Sequence, residues 1–337
     1  MPKITFQETK EFLEKIDSND NVLIVHHNDG DGFASGIILY DWCVYKGAKV
    51  DEVAYSSNAS NIDKFQISEY NKVIICDINY VRFNLIADRF SEKQKVFFTD
   101  HSRIGDLPEY ILVLDETNKG YVPTSKTIYE LIETKPWLAL SGLIEDSGDI
   151  YPENKEFVEE ILNKYEMSIE EFKEKVARKI TNTILHFKND YPEAFKLIQK
   201  INSIEEISSL EKYSKLIEYE MNNQMISLEN NLEIIEDIYF YKYTTESPYA
   251  KQIDTKMGIK NENIFCVFEY PRDEKDIVHM TARYQYENAD LISLFEKSLM
   301  GLEETNIRGY PKAVSIHIKK ENVEKFKANL IKNFIQH

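Results

Sequence analysis

The chain is 337 residues long and carries a formal net charge of −17, with 58 Asp and Glu against 41 Lys and Arg. Such acidity excludes tight, sequence-independent binding to long nucleic acid, because that affinity rests on phosphate neutralisation by Lys and Arg; a short phosphate-bearing ligand is not excluded. No apolar stretch approaches the roughly 20 residues of a spanning helix. Met1-Pro2-Lys3 leads into a polar segment and not a signal peptide, and Cys43, Cys76 and Cys266 are too scattered for a disulfide framework or a zinc knuckle. The composition therefore predicts a cytoplasmic, two-domain enzyme with reduced thiols and no membrane contact.

Strand-like and helical patterns alternate over residues 1–150, the signature of a doubly wound α/β unit. Lys10–Ile16 predicts a leading helix. Val22–Val25 predicts a buried strand that runs into His26-His27-Asn28-Asp29-Gly30-Asp31-Gly32, and Phe33–Tyr45 the helix after it, starting where its dipole favours an anion. Further buried strands are expected at Val73–Cys76 and Val96–Thr99, and others near Glu52–Tyr55 and Ile111–Leu114, with helices near Val81–Phe90, Thr127–Ile132 and Trp137–Ile144. From about Pro152 to Asn230 the glycine-free Glu, Lys, Ile and Leu pattern predicts a helical connector. Its charge runs, such as Glu170-Glu171-Phe172-Lys173-Glu174-Lys175, read as solvated faces with i,i+4 pairs. Beyond Leu232, strands at Ile234–Tyr241, Asn263–Tyr270, Ile277–Tyr284 and Ala313–Ile318, with helices near Leu291–Met300 and Val323–Phe334, predict a second, smaller α/β domain. The expected organisation is thus a mainly parallel sheet domain over 1–150, a helical connector over 151–230 and a smaller α/β domain over 231–337.

Acidic and imidazole groups recur where apolar runs end. Asp29 and Asp31 follow the first strand, Asp77 follows Val73–Cys76, Asp100-His101 follows Val96–Thr99, and Glu145-Asp146-Ser147-Gly148-Asp149 closes an apolar helix. The carboxyl ends of parallel strands converge on one crevice. Alternation points His27, Asp29 and Asp31 the same way if the chain stays extended, and Gly30 and Gly32 permit a tight turn near a ligand. Alone, the first motif is either a metal loop or an ordinary turn, and the later Glu of a calcium loop is absent. Asp77 alone reads as a turn former, and His101 alone as a satisfied polar residue. Recurrence at three successive strand ends makes a joint metal site the reading. His26 faces the opposite side of an extended strand, which gives it a packing role, with ligation as the fallback.

This set of residues resembles the DHH phosphoesterase superfamily, which includes RecJ-type exonucleases, nanoRNases, cyclic dinucleotide phosphodiesterases, exopolyphosphatases and family II pyrophosphatases. His27-x-Asp29-x-Asp31-Gly32 is similar to its first motif in the close spacing of RecJ-like and oligoribonuclease-like members, Asp77 to the second, Asp100-His101-Ser102 to the third and Asp146-Ser147-Gly148 to the fourth. Downstream, His279-Met280-Thr281-Ala282-Arg283 and Arg308-Gly309-Tyr310-Pro311-Lys312-Ala313 resemble the phosphate-binding Arg segment and the Gly-Gly-His-Pro-x-Ala turn of the DHHA1 substrate domain. The resemblance implies two divalent ions: His27 and Asp29 on one, Asp31, His101 and Asp146 on the other, Asp77 bridging, and Asp100 orienting His101 from behind. Mixed carboxylate and imidazole ligands favour manganese, with magnesium the second candidate. Two such ions about 4 Å apart suit in-line attack of water on phosphorus.

Two departures alter the phosphate grip. Ser102 replaces a second His, and Arg308 and Tyr310 replace the Gly and His of the downstream turn. Ser102 retains a hydrogen bond but no charge. Arg308 restores charge and Tyr310 stacks on a base, or Tyr310 packs and Arg308 faces water. Ser102, Arg283, Arg308, Gly309 and Tyr310 are the expected substrate contacts. The implied function is hydrolysis of short oligonucleotides, RNA or single-stranded DNA, to nucleoside monophosphates. The alternatives are a cyclic di- or oligonucleotide phosphodiesterase and a catalytically degenerate nucleotide-binding member; homo-oligomers are compatible with either.

Overall fold

Strand β1 (Asn21–His27) buries Val22 to His26 without a break, because it lies inside a parallel sheet covered on both faces, where strands are apolar throughout and do not alternate. The computed structural model describes residues 3–55, 61–102, 104–188, 190–229, 232–243, 263–270, 276–284, 289–303 and 306–335. The sheet contains β1, β2 (Lys49–Tyr55), β3 (Lys72–Cys76), β4 (Lys95–Thr99) and β5 (Ile111–Leu114) in the order β2-β1-β3-β4-β5, every pair parallel. Alternate side chains feed two cores. Val22, Ile24, Ile74, Cys76 and Phe97 face one layer, while Leu23, Val25, Val73, Ile75, Val96 and Phe98 face the other.

Helix α1 (Phe6–Glu14) begins at a Thr5–Glu8 capping box, four residues before the expected Lys10. Helix α2 (Gly30–Tyr45) follows β1, and α3 (Tyr80–Asn84) follows β3; the helix expected to reach Phe90 ends early and resumes only as a 3₁₀ turn at Ala87–Arg89. Helices α4 (Thr124–Ile132) and α5 (Pro136–Glu145) pack with α2 in the first core. In the order β2-β1-β3, the chain leaves β1 toward β2 on one side and returns to β3 on the other. Such a switch point is where open α/β sheets bind ligands, and His27 at the end of β1 and Asp77 just after β3 flank it.

The stretch expected to be a helical connector is helical and packs within the first compact unit. The first compact unit runs from Met1 to Ile217 and the second from Glu218 to His337. Helices α6 (Lys155–Lys164), α7 (Ile169–Phe172), α8 (Arg178–His186, joined to α7 by a π-turn) and α9 (Tyr191–Gln199) set Phe157, Ile161, Phe172, Ile180, Phe195 and Ile198 into the same core as Phe33, Ile37 and Leu138. Their charged residues do face water, with a 3.0 Å pair between Lys175 and Glu171. What the charge runs conceal is an apolar stripe at helical spacing that needs a partner. Helix α10 (Glu211–Glu229) spans the boundary between the units.

In the second unit, β6 (Leu232–Ile235), β7 (Ile238–Tyr243), β8 (Ile264–Glu269), β9 (Ile277–Arg283), β10 (Asn306–Tyr310) and β11 (Ala313–Lys319) form a sheet in the order β10-β11-β9-β8-β7-β6. All its pairs are antiparallel except β7 with β8. One face packs on α11 (Leu291–Leu299) and α12 (Val323–Ile335) through Phe240, Phe268, Met280, Ile316, Phe295 and Phe326. The expected single strand Ile234–Tyr241 is a hairpin, because Glu236 takes a left-handed φ of 51° and folds β7 back on β6. Strand β10 was not expected; Arg308-Gly309-Tyr310 reads as turn chemistry, yet the turn is only Pro311-Lys312. The three cysteines are buried free thiols. Among the described residues, no helix is long and apolar enough to cross a membrane.

Candidate metal centre

After His27 the chain does not stay extended. Asp29 is the N-cap of α2, with one carboxylate oxygen accepting the Gly32 N–H at 3.1 Å and the other 2.6 Å from His27 Nδ1. Capping satisfies a backbone donor that the helix start leaves open, so the helix begins at Gly30, inside the motif. His27 and Asp29 still meet, while Asp31 projects from the first helical turn into a different group of side chains. Gly32 is where α2 crosses the end of β1: an added Cβ would lie 2.4 Å from the His27 carbonyl oxygen. Gly36 makes the next approach, with an added Cβ 2.7 Å from the His26 ring. His26 itself is buried, its ring against Phe33 and Phe195 and its Nε2 3.3 Å from Glu52. It packs on the far side of the strand.

Asp31 is fully buried, and the amino end of α4 holds it: Thr124 N–H donates to one oxygen at 2.8 Å and Ser125 N–H to the other at 2.9 Å. Charge-assisted bonds at a helix N-terminus offset the desolvation of a carboxylate. Asp77 follows β3 in a left-handed conformation with φ 59°, tied by its N–H to the Thr99 carbonyl at 3.0 Å. Its side chain accepts the Thr124 hydroxyl at 3.2 Å and stands 3.1 Å from His101 Nδ1. The other face of His101 is 3.4 Å from Asp146. Asp146 caps the end of α5, and the Tyr121 hydroxyl lies 3.2 Å from both its side chain and its carbonyl oxygen.

Two ligand groups emerge. Asp31, Asp77, His101 and Asp146 present donor atoms all within 4.8 Å of one another, and so do His27, Asp29 and Asp77. Asp77 belongs to both. A third group, Asp29, Glu145 and Asp146, adds Glu145 from the end of α5. Hard carboxylate oxygens with two imidazoles are a donor set that fits manganese or magnesium. Burial raises the Asp77 carboxyl well above its ordinary range, and the Asp31 and Asp29 charges raise it further, against a smaller opposing effect of His101. For His101, burial opposes protonation, but hydrogen bonds to Asp31 and Asp77 and the charge of Asp146 outweigh it and raise the imidazole well above its usual value. Like charges packed this closely call for a cation.

The remaining expected residues divide. Asp100 is buried, but its Oδ2 accepts the backbone N–H of Ser102 at 3.2 Å and the Ser102 hydroxyl, while its Oδ1 is 4.0 Å from His101. It braces the turn after β4, where Ser102 is engaged with it, and keeps a long ion-pair contact with His101. In the second unit Arg283 closes β9 opposite Ala313, and exposed Arg308 lies opposite Ser315 on β10. Gly309 takes φ 144°, and an added Cβ would meet the Ala313 carbonyl oxygen at 2.1 Å. The Tyr310 side chain lies outside the described residues. Sequence reasoning did not single out Glu145, Thr124, Ser125, Tyr121 or Arg82, whose guanidinium donates to His27 Nε2. Only Glu145 carried a signal, its place beside Asp146 in an acidic run.

Residues 21–162 match the model of the DHH family, N-terminal domain. No curated protein matches the sequence. Among solved structures, RecJ of Thermus thermophilus in complex with Mn2+ aligns with a TM-score of 0.72 at 13% identity over 98% of this chain, which spans only 55% of that RecJ. An exonuclease RecJ bound to manganese aligns at 0.65 and 13% identity over 98% of this chain and 94% of its own. An exopolyphosphatase-related protein from Bacteroides fragilis aligns at 0.59 and 14% identity, covering 97% and 95%. At such identity the likeness is one of fold, and it extends over both units. Residues 21–162, which hold the sheet and its motifs, thus match the N-terminal domain of the DHH family, and the chain shares the fold of the RecJ structures.

Proposed function

We propose that the protein is a phosphodiesterase dependent on divalent metal, hydrolysing oligonucleotides of about two to five nucleotides to nucleoside monophosphates and holding the strand through stacking and phosphate contacts. The observation that carries the reading is the sharing of Asp77 between two ligand groups of mixed oxygen and nitrogen donors. His27 and Asp29 would hold one ion and Asp31, His101 and Asp146 the other, with Asp77 common to both. RecJ structures of this fold contain Mn2+ or Mg2+, which supports the choice of ion. When bound, such a pair stabilises the charge on the attacking and leaving oxygens of an in-line displacement at phosphorus.

The protein's own groups set the stage for that chemistry. The α4 N–H groups fix both oxygens of Asp31, the Thr124 hydroxyl orients Asp77, and Tyr121 orients Asp146. Water adds to phosphorus and the bridging P–O bond breaks, leaving a hydroxyl on one product and a phosphate on the other. The acidity of the chain suits a substrate with few phosphates. The deciding experiment is a panel of labelled RNA and DNA di- to pentanucleotides, cyclic dinucleotides and pyrophosphate with manganese, magnesium or EDTA. A metal-dependent ladder of mononucleotides on the linear substrates is expected. Faster turnover of the cyclic ones, or no product from any, overturns the reading.

A further inference from the structure

We propose that Arg82 is the residue that grips the substrate phosphate at this centre, an assignment that rests on the phosphodiesterase reading and deepens it. Arg82 sits in the short helix α3, five residues after Asp77, its N–H held by the Asn79 side chain at 3.0 Å. Its guanidinium reaches across the switch point to His27 Nε2. It is a guanidinium in direct contact with a member of the ligand clusters, and among the described residues no carboxylate pairs with it.

The contact has a consequence for protons. Guanidinium is a pure donor with five N–H groups and keeps its charge, so His27 Nε2 must be the acceptor and the ring proton must lie on Nδ1, donating to Asp29 at 2.6 Å. In that pairing neither nitrogen of His27 has a lone pair to offer an ion. Ligation through His27 therefore requires Arg82 to let go of Nε2, which leaves that nitrogen free for an ion or free to take the ring proton from Nδ1. A released guanidinium, tethered at its base by Asn79, stands beside the centre with a planar fork that matches phosphate oxygens. Ser102, at the position where the third motif of relatives has a second His, carries no charge, and its hydroxyl is spent on Asp100. Arg82 supplies the charge from the neighbouring strand end.

The competing role is purely positional: Arg82 would fix the His27 tautomer and do nothing for the substrate. The two separate in calorimetry on the full-length protein, titrating manganese alone and then adenosine 5′-monophosphate into the manganese-saturated protein, with adenosine as the phosphate-free control. We expect R82A to weaken the monophosphate at least about tenfold, R82K to fall between, and manganese affinity to stay within about twofold or tighten. R82Q keeps a donor for His27 without the charge and should resemble R82A, which covers the case in which R82A folds poorly. Manganese affinity that drops in R82A or R82Q while the monophosphate binds as in wild type overturns the assignment. Wild type that binds the monophosphate through Arg82 but cleaves no oligonucleotide removes the proposed substrate and leaves Arg82 standing; wild type that loads manganese yet ignores the monophosphate removes both.

Discussion

Asp77 combines three unfavourable conditions: it is a non-glycine residue at φ 59°, it is buried, and it faces Asp31 and Asp29. Because its folded carboxyl titrates above the unfolded one, the folded chain keeps a proton that the unfolded chain loses from about pH 4 upward, and stability falls as pH rises. His101, raised above its ordinary value of about 6.5, adds stability that is present below that pH and lost as pH climbs through the raised value. Both act in one direction. EDTA-treated protein should therefore melt at falling temperature from about pH 5 to 9, and manganese should flatten the slope by taking over the role of the protons. Asp77→Asn isolates this group from the general repulsion of a chain at −17. In EDTA it should be at least as stable as wild type at neutral pH. It should also lose the manganese-induced rise, worth about 2.7 kcal/mol at a hundredfold excess over Kd. A wild-type slope of opposite sign, or an undiminished manganese effect in the variant, would refute this account.

At the scale of elements, the centre depends on how closely α2 lies on the end of β1. Gly32→Ala drives a methyl into the His27 carbonyl, which is backbone and cannot move aside, while Gly36→Ala drives one into a His26 ring wedged between Phe33 and Phe195. Overpacking of this kind costs about 1–3 kcal/mol. Both variants should lower the urea midpoint, Gly32→Ala the more, and only Gly32→Ala should also weaken manganese binding by separating His27 from Asp29 and Asp31; equal manganese affinity in the two would contradict that division. These contacts also mark what a sequence can tell. Strand ends bearing Asp77 and His101 were legible, because an apolar run closed by a charged group has one simple meaning in a parallel sheet. Contacts that depend on two elements meeting left no local trace, as with Arg82 on His27 or the α4 N–H groups on Asp31. Glu236 shows the converse: a single left-handed residue turned one apparent strand into a hairpin, and nothing in an alternating pattern announces it.

The whole molecule divides at Ile217, well beyond the point where composition shifts. Fourteen buried residues from Phe157 to Leu210 share the core of α2, α4 and α5. At roughly 1.5 kcal/mol or more for each large apolar side chain, their removal exceeds the 5–15 kcal/mol that holds a domain folded. The helical stretch is thus a third layer of the first unit, and its Phe195 packs directly on His26, next to His27. A fragment ending at Ile150 should fail to unfold cooperatively, whereas one ending at Ile217 should melt in a single transition and bind manganese with near wild-type affinity, since every grouped ligand lies within it. Circular dichroism melts and calorimetry on the two fragments decide the matter. A cooperative 1–150 fragment with intact manganese binding would show that the helices are dispensable to the sheet and its centre. A 1–217 fragment that folds yet loses manganese would mean that the second unit, and not the switch point alone, completes the centre.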